Sequence, residues 1–143
     1  MILLKKINAI FVFTLLFSLL TNFSNFSLAE DFKVQQTLKK SIGKNIFVIF
    51  ETDAKKFSKM NPINAKIKIV DKNKKPLEKA LVTLDLTMPS MSMPENKVKL
   101  KETEKGIYSG EIIFTMGGDW RINTDILLPN NKKEKVFFDI SVN

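Results

Sequence analysis

The residues Ile63-Asn64-Ala65-Lys66-Ile67-Lys68-Ile69-Val70 alternate apolar and polar side chains, and a period of two recurs along most of the chain. On an extended backbone, side chains two apart share a face, so such a segment makes a strand with one dry and one wet side. No stretch shows a convincing amphipathic-helix spacing. Strands are expected over 32–38, 45–51, 63–70, 80–86, 97–101, 107–115, 120–128 and 134–142, the first of them the least regular. Between them lie turn-forming runs such as Asp71–Pro76, Lys105-Gly106, Met116–Asp119 and Pro129–Lys132. Turns at roughly 8–12-residue spacing fit an all-β, antiparallel β-sandwich of immunoglobulin-like size with about seven strands. An up-and-down barrel has the same alternation, so the topology stays open. The expected core comprises Phe47, Ile49, Ile67, Ile69, Val82, Leu84, Ile113, Ile122, Phe137 and Ile140.

The first 29 residues stand apart. Lys5 and Lys6 precede the apolar run Ile7–Leu20, a polar stretch Thr21–Ser27 follows, and Ser27-Leu28-Ala29 is small at both ends. That order is a secretory signal peptide over 1–29, leaving a single domain over 30–143. The apolar run is shorter than the ~20 residues a spanning helix needs, so no stable membrane anchor is expected after cleavage. The chain has no cysteine. That excludes lipoprotein anchoring, disulfides and thiolate metal sites. The absence of histidine also removes His-based triads and His-containing zinc sites. Glu102 and Glu104 sit beside a turn between Lys101 and Lys105 and read as solvated. An enzyme is therefore not expected.

The formal net charge is +8, and Arg121 is the one arginine beside many lysines. The lysines fall mostly in the expected turns. A nucleic-acid groove would interleave arginine and stacking aromatics with its charges. The phenylalanines here lie inside apolar strand patterns, so the lysines read as the solvated surface of an exported protein, with no nucleic-acid partner.

The most distinctive local feature is Met88-Pro89-Ser90-Met91-Ser92-Met93-Pro94. Its prolines favour extended or turn backbone and exclude a helix interior. A second segment, Met116-Gly117-Gly118-Asp119-Trp120, holds another methionine and the single tryptophan. Thioethers are soft, neutral donors that favour Cu(I) over zinc or hard cations. In extended backbone Met91 and Met93 would point to the same side, a bend at Pro89-Ser90 would bring Met88 round, and Met116 would approach from another strand. Trp120 would cover such a site with its π-face. The competing reading is packing, since methionine fills apolar gaps and its sulfur lies well against aromatic rings. Met60 reads as an ordinary loop or core residue.

Taken in order, Pro76-Leu77-Glu78-Lys79-Ala80, Val82-Thr83-Leu84, the methionine loop, Gly106-Ile107-Tyr108-Ser109-Gly110 and Met116-Gly117-Gly118-Asp119-Trp120 resemble the YtkA-like domain. More distantly they resemble the FixH proteins linked to assembly of copper-containing oxidases. The resemblance covers 61–128. It implies an immunoglobulin-like sandwich outside the cytoplasm, not an enzyme, with a connection to copper handling or oxidase maturation. The chain departs from that pattern in having a cleavable-looking N-terminal segment instead of an anchor, and no histidine near the methionines. Two functions follow as expectations. The first is a periplasmic or secreted Cu(I)-binding or copper-delivery factor using Met88, Met91, Met93 and Met116, with a membrane-bound oxidase or copper-transport protein as partner. The second is a metal-free module that docks its methionine loop on an envelope protein. A carbohydrate- or peptide-binding module has little support, because no exposed aromatic platform is evident. Export carries its own test: N-terminal sequencing of the mature protein should begin at Glu30, and a membrane-embedded chain still starting at Met1 would refute it.

Overall fold

The structure, a computed structural model, describes residues 32–143; the expected signal peptide lies outside the described residues. Eight strands follow one another: β1 (Gln36–Ile42), β2 (Ile46–Thr52), β3 (Ile63–Asp71), β4 (Leu81–Thr87), β5 (Lys97–Glu104), β6 (Ile107–Ile112), β7 (Gly118–Leu127) and β8 (Lys133–Val142). Every pairing is antiparallel, in the spatial order β1-β2-β3-β6-β5-β4-β7-β8. One layer is β1-β2-β3-β6 and the other is β4-β7-β8.

β5 joins the layers. Its first half, Lys97–Leu100, pairs with β4, and Lys101–Glu104 pairs with β6 across a register shift. Gly110 lies where the strand crosses over. A Cβ there would come within 2.6 Å of Leu100 Cδ2, so any larger residue would make the Leu100 side chain shift. β1 and β8, the two ends of the order, approach each other on the far side. The result is the expected sandwich with its sheets continuous at one edge, which makes it nearly a barrel. The strand beyond the expected seven is β1, whose pattern was least regular. It runs from Gln36 to Ile42, four residues later than the expected 32–38, and Phe32–Gln35 precede it.

Five of the expected core residues are fully inside: Ile67, Ile69, Val82, Leu84 and Ile122. Ile140 is partly buried against the core. Four face outward instead: Phe47, Ile49, Ile113 and Phe137. Their neighbours Val48, Phe50, Ile112, Phe114 and Phe138 fill the interior. The reason is common to all four. Each sits in a run of consecutive apolar residues, where alternation cannot choose a face, and a one-residue slip exchanges inside for outside. The outward rings are covered by cations: the Lys39 ammonium is 4.7 Å from the Phe47 centroid, and the Arg121 guanidinium is 4.0 Å from Phe137. Inside, Phe50 and Phe138 meet across the layers with centroids 5.7 Å apart.

Two anchors fix the connections. Buried Tyr108 on β6 donates its hydroxyl to the Leu77 carbonyl at 2.8 Å and accepts from the Ala80 N–H at 3.0 Å. Burial pushes its phenol pKa up, an effect the Ala80 N–H partly offsets. Glu102, expected to be idle in solvent, accepts from the backbone N–H groups of Lys79 and Gly106 at 3.0 and 3.1 Å. At the opposite end Trp120 is 1% exposed and stacks edge-on with Phe114 at 5.2 Å. Phe114 in turn meets Phe57 at 5.8 Å.

Two stability outcomes follow, both read by denaturant unfolding. Trp120→Ala and Phe138→Ala should each cost ~3–5 kcal/mol as large-to-small core changes, whereas outward Phe137→Ala should cost about 1 kcal/mol or less. Equal losses for Phe137 and Phe138 would contradict the observed facing of β8. The Thr124 hydroxyl is fully buried without a hydrogen-bond partner. Thr124→Val should therefore raise stability by about 1 kcal/mol, and a loss of that size would contradict the burial of an unpaired hydroxyl there.

Candidate functional site

Because every neighbouring pair is antiparallel, the connections after β2, β4 and β6 share one end of the sandwich. They span 53–62, 88–96 and 113–117. All methionines among the described residues lie in them: Met60, Met88, Met91, Met93 and Met116. Sequence spacing singled out four and passed over Met60, which stands alone between Lys59 and Asn61. The fold brings it in through its backbone, whose N–H donates to the Phe114 carbonyl at 2.7 Å. Met60 adopts a left-handed φ of 59° and leaves its side chain 68% exposed.

The bend expected at Pro89-Ser90 is present. The Met91 N–H donates to the Met88 carbonyl at 3.2 Å, closing a turn. Past that turn the chain comes back, and the Met93 Sδ accepts the Met88 N–H at 3.2 Å. Met88 itself is buried, with its methyl against Gly118, where a Cβ would come within 2.9 Å of Met88 Cε. Gly118 has a φ of 125°, so this glycine supplies both a left-handed backbone and space for the thioether. Met93 is partly buried against the core, whereas Met91 is 48% exposed and Met116 is 39% exposed. Met91 and Met93 thus differ in exposure, because the turn interrupts the extended run that would have placed them side by side.

Trp120 lies beneath this end. Its Nε1 donates to the Met116 carbonyl at 2.9 Å, which holds the residue that carries the fourth expected donor. With its ring 1% exposed and packed against Phe114, the tryptophan acts on this end through that bond. Beside it, Arg121 grips Asp139 with two hydrogen bonds of 2.7 and 3.1 Å. The Arg121 hydrogen bond holds the Asp139 carboxyl below its usual range, and the guanidinium pKa is raised in turn.

The chemistry open to this end is narrow. Among the described residues no group of three or more aspartates and glutamates could hold a metal ion, and the chain has neither histidine nor cysteine. This end therefore carries no carboxylate cluster for a hard cation or zinc among the described residues. The donor type it gathers is thioether sulfur, whose preference is for soft monovalent metal. The sulfur of Met93 has a second lone pair beyond the one facing the Met88 N–H, so the contact does not remove it as a donor.

Comparisons with known proteins bear on the fold and the family. The fold is similar to the crystal structure of the PmoD soluble domain from Methylocystis sp. ATCC 49242 (Rockwell), with a TM-score of 0.51 and 13% identity over 74% of this chain and 97% of that one. None of the curated proteins matches the chain in sequence. The model of the YtkA-like family matches residues 47–125, from the start of β2 nearly to the end of β7. That match spans more than half of the sequence and includes both methionine segments and Trp120; the chain belongs to the YtkA-like family.

Proposed function

We propose that this chain is an exported, non-enzymatic Cu(I)-binding protein whose methionine end takes up the ion and hands it to a membrane-bound oxidase or copper-transport protein. The observation that carries the reading is the gathering of Met60, Met88, Met91, Met93 and Met116 at one end of the sandwich. Membership in the YtkA-like family and the resemblance to oxidase-assembly proteins support the partner class. The fold shared with the PmoD soluble domain is compatible with it.

Each residue has a distinct task under this reading. Met91 and Met116 are open to solvent and offer the donors through which a partner can exchange the ion. Met93 adds a third sulfur from a position fixed by the Met88 N–H. Buried Met88 is the least accessible of the four and supports the loop through Gly118. Thioethers need no deprotonation, so uptake by this end should change little on mild acidification. Copper bound there would be the cargo, and the protein's contribution is placement of soft donors on a rigid floor.

The second reading is a metal-free module that docks this end on an envelope protein. It is favoured by the exposure of Met60, Met91 and Met116, because flexible thioether side chains make adaptable apolar contacts.

A Cu(I) competition titration with a chromophoric chelator separates the two, using the wild type and Met91→Leu/Met93→Leu. Leucine keeps volume and apolarity, so stability should change by less than ~1.5 kcal/mol. Copper affinity should fall at least about ten-fold, since the variant keeps only Met116 of the three donor thioethers, and one holds Cu(I) less well than three. Equal retention of copper by both folded proteins would remove the loop as a thioether site and leave the docking reading.

A further inference from the structure

The lysines, read from the sequence as scattered over turns, are not scattered in the fold. The connections after β1, β3, β5 and β7 lie together at the end opposite the methionines. Lys44 is in the first. Lys72, Lys74, Lys75 and Lys79 are in the second, Lys105 in the third and Lys132 in the fourth. All seven are exposed, and Glu78 is the one acidic residue in these four connections. The three connections at the methionine end hold Lys55, Lys56 and Lys59 against Asp53 and Glu95. The charge is therefore polarised along the strand axis.

Few of these ammonium groups are neutralised. Lys105 reaches Glu78 at 3.9 Å and Lys132 pairs with Glu134, while Lys44, Lys72, Lys74, Lys75 and Lys79 form no ion pair among the described residues. The turn after β3 is held by backbone bonds to Asp71: its Oδ1 accepts from the N–H groups of Asn73 and Lys75 at 2.8 and 2.9 Å. The side chains of Lys72, Lys74 and Lys75 take no part in holding it. Next to them Leu81, at the start of β4, is 68% exposed. A cluster of unpaired ammonium groups with an exposed leucine matches a surface of anionic phosphates backed by hydrocarbon.

We propose that the lysine-bearing end docks the protein on the anionic phospholipid surface of a membrane. The lysines supply long-range attraction to lipid phosphates, and Leu81 enters the headgroup region. Docking by this end points the methionine end away from the bilayer, about 30 Å off, the length of a ten-residue strand at ~3.3 Å per residue. The proposal does not depend on copper.

Sedimentation with unilamellar vesicles tests it, using the exported chain with the N-terminus that sequencing assigns. Phosphatidylcholine vesicles are compared with vesicles containing about 30 mol % phosphatidylglycerol, at low and physiological salt. Binding should require the anionic lipid and weaken with salt. Lys44→Glu/Lys72→Glu/Lys75→Glu avoids the left-handed positions Lys74 and Lys79. It should lower the partition coefficient at least about 100-fold, since each lysine near such a surface is worth roughly five-fold. Lys55→Glu/Lys56→Glu/Lys59→Glu makes the same change in net charge at the other end and should lower it far less. Equal loss in the two triple variants, equal binding to both vesicle types, or tighter retention by soluble inorganic polyphosphate than by the anionic vesicles would overturn the proposal.

Discussion

The burial of Trp120 determines what the methionine end can be. A tryptophan taken out of water must find a partner for its indole N–H, and here that partner is the Met116 carbonyl at 2.9 Å. The bond ties the 113–117 connection to the first turn of strand residues in β7. Phe114, in the same connection, lies against the Trp120 ring, and Phe57 extends the stack into the connection after β2. The backbone completes the tie: Asn143 donates to the Phe57 carbonyl, Lys59 donates to the Asn143 carbonyl, and Met60 donates to Phe114. Two connections, 53–62 and 113–117, and the C-terminal residue thus share one aromatic floor, and Met88 of the third connection lies against Gly118, two residues before Trp120.

Strand number and order along the chain were legible because alternation and turn chemistry agree over most of the sequence. The segment Leu81–Thr87 alternates without ambiguity, and its Val82, Leu84 and Leu86 are all inside. Facing was not legible in Ile46–Phe50, in Ile112–Phe114 or at Phe137-Phe138, where both parities are apolar. Only the partner strands decide there. Phe47 pairs with Val70, and both are on the outer surface, while Val48 and Ile69 pair inward. Likewise the roles of Glu102 and Tyr108 depend on a connection 23 to 31 residues away. Local spacing carries no trace of such contacts. Met60 was missed for the same reason, since its neighbours in sequence say nothing of Phe114.

The same antiparallel order sorts the connections by end. Alternate connections collect together, so a chain whose methionines fall in one set and most of whose connection lysines fall in the other becomes a polarised molecule. The soft, apolar end and the cationic end are separated by the strand length. The lysine positions are visible in the sequence, but their gathering requires the knowledge that β3 and β6 are neighbours and that β5 joins the two layers. The fold thereby separates two chemically distinct surfaces.

The central claim is that sulfur atoms at the methionine end receive Cu(I) while the Trp120 floor stays in place. Methionine methyl NMR on protein carrying ¹³C at the methionine ε-position tests it directly, because each thioether reports on its own sulfur. On addition of one equivalent of Cu(I), the account predicts large shifts for the Met91, Met93 and Met116 methyls with an unchanged Trp120 indole N–H resonance. Methyl resonances that do not move, or a tryptophan N–H signal lost together with them as the floor unfolds, would contradict it.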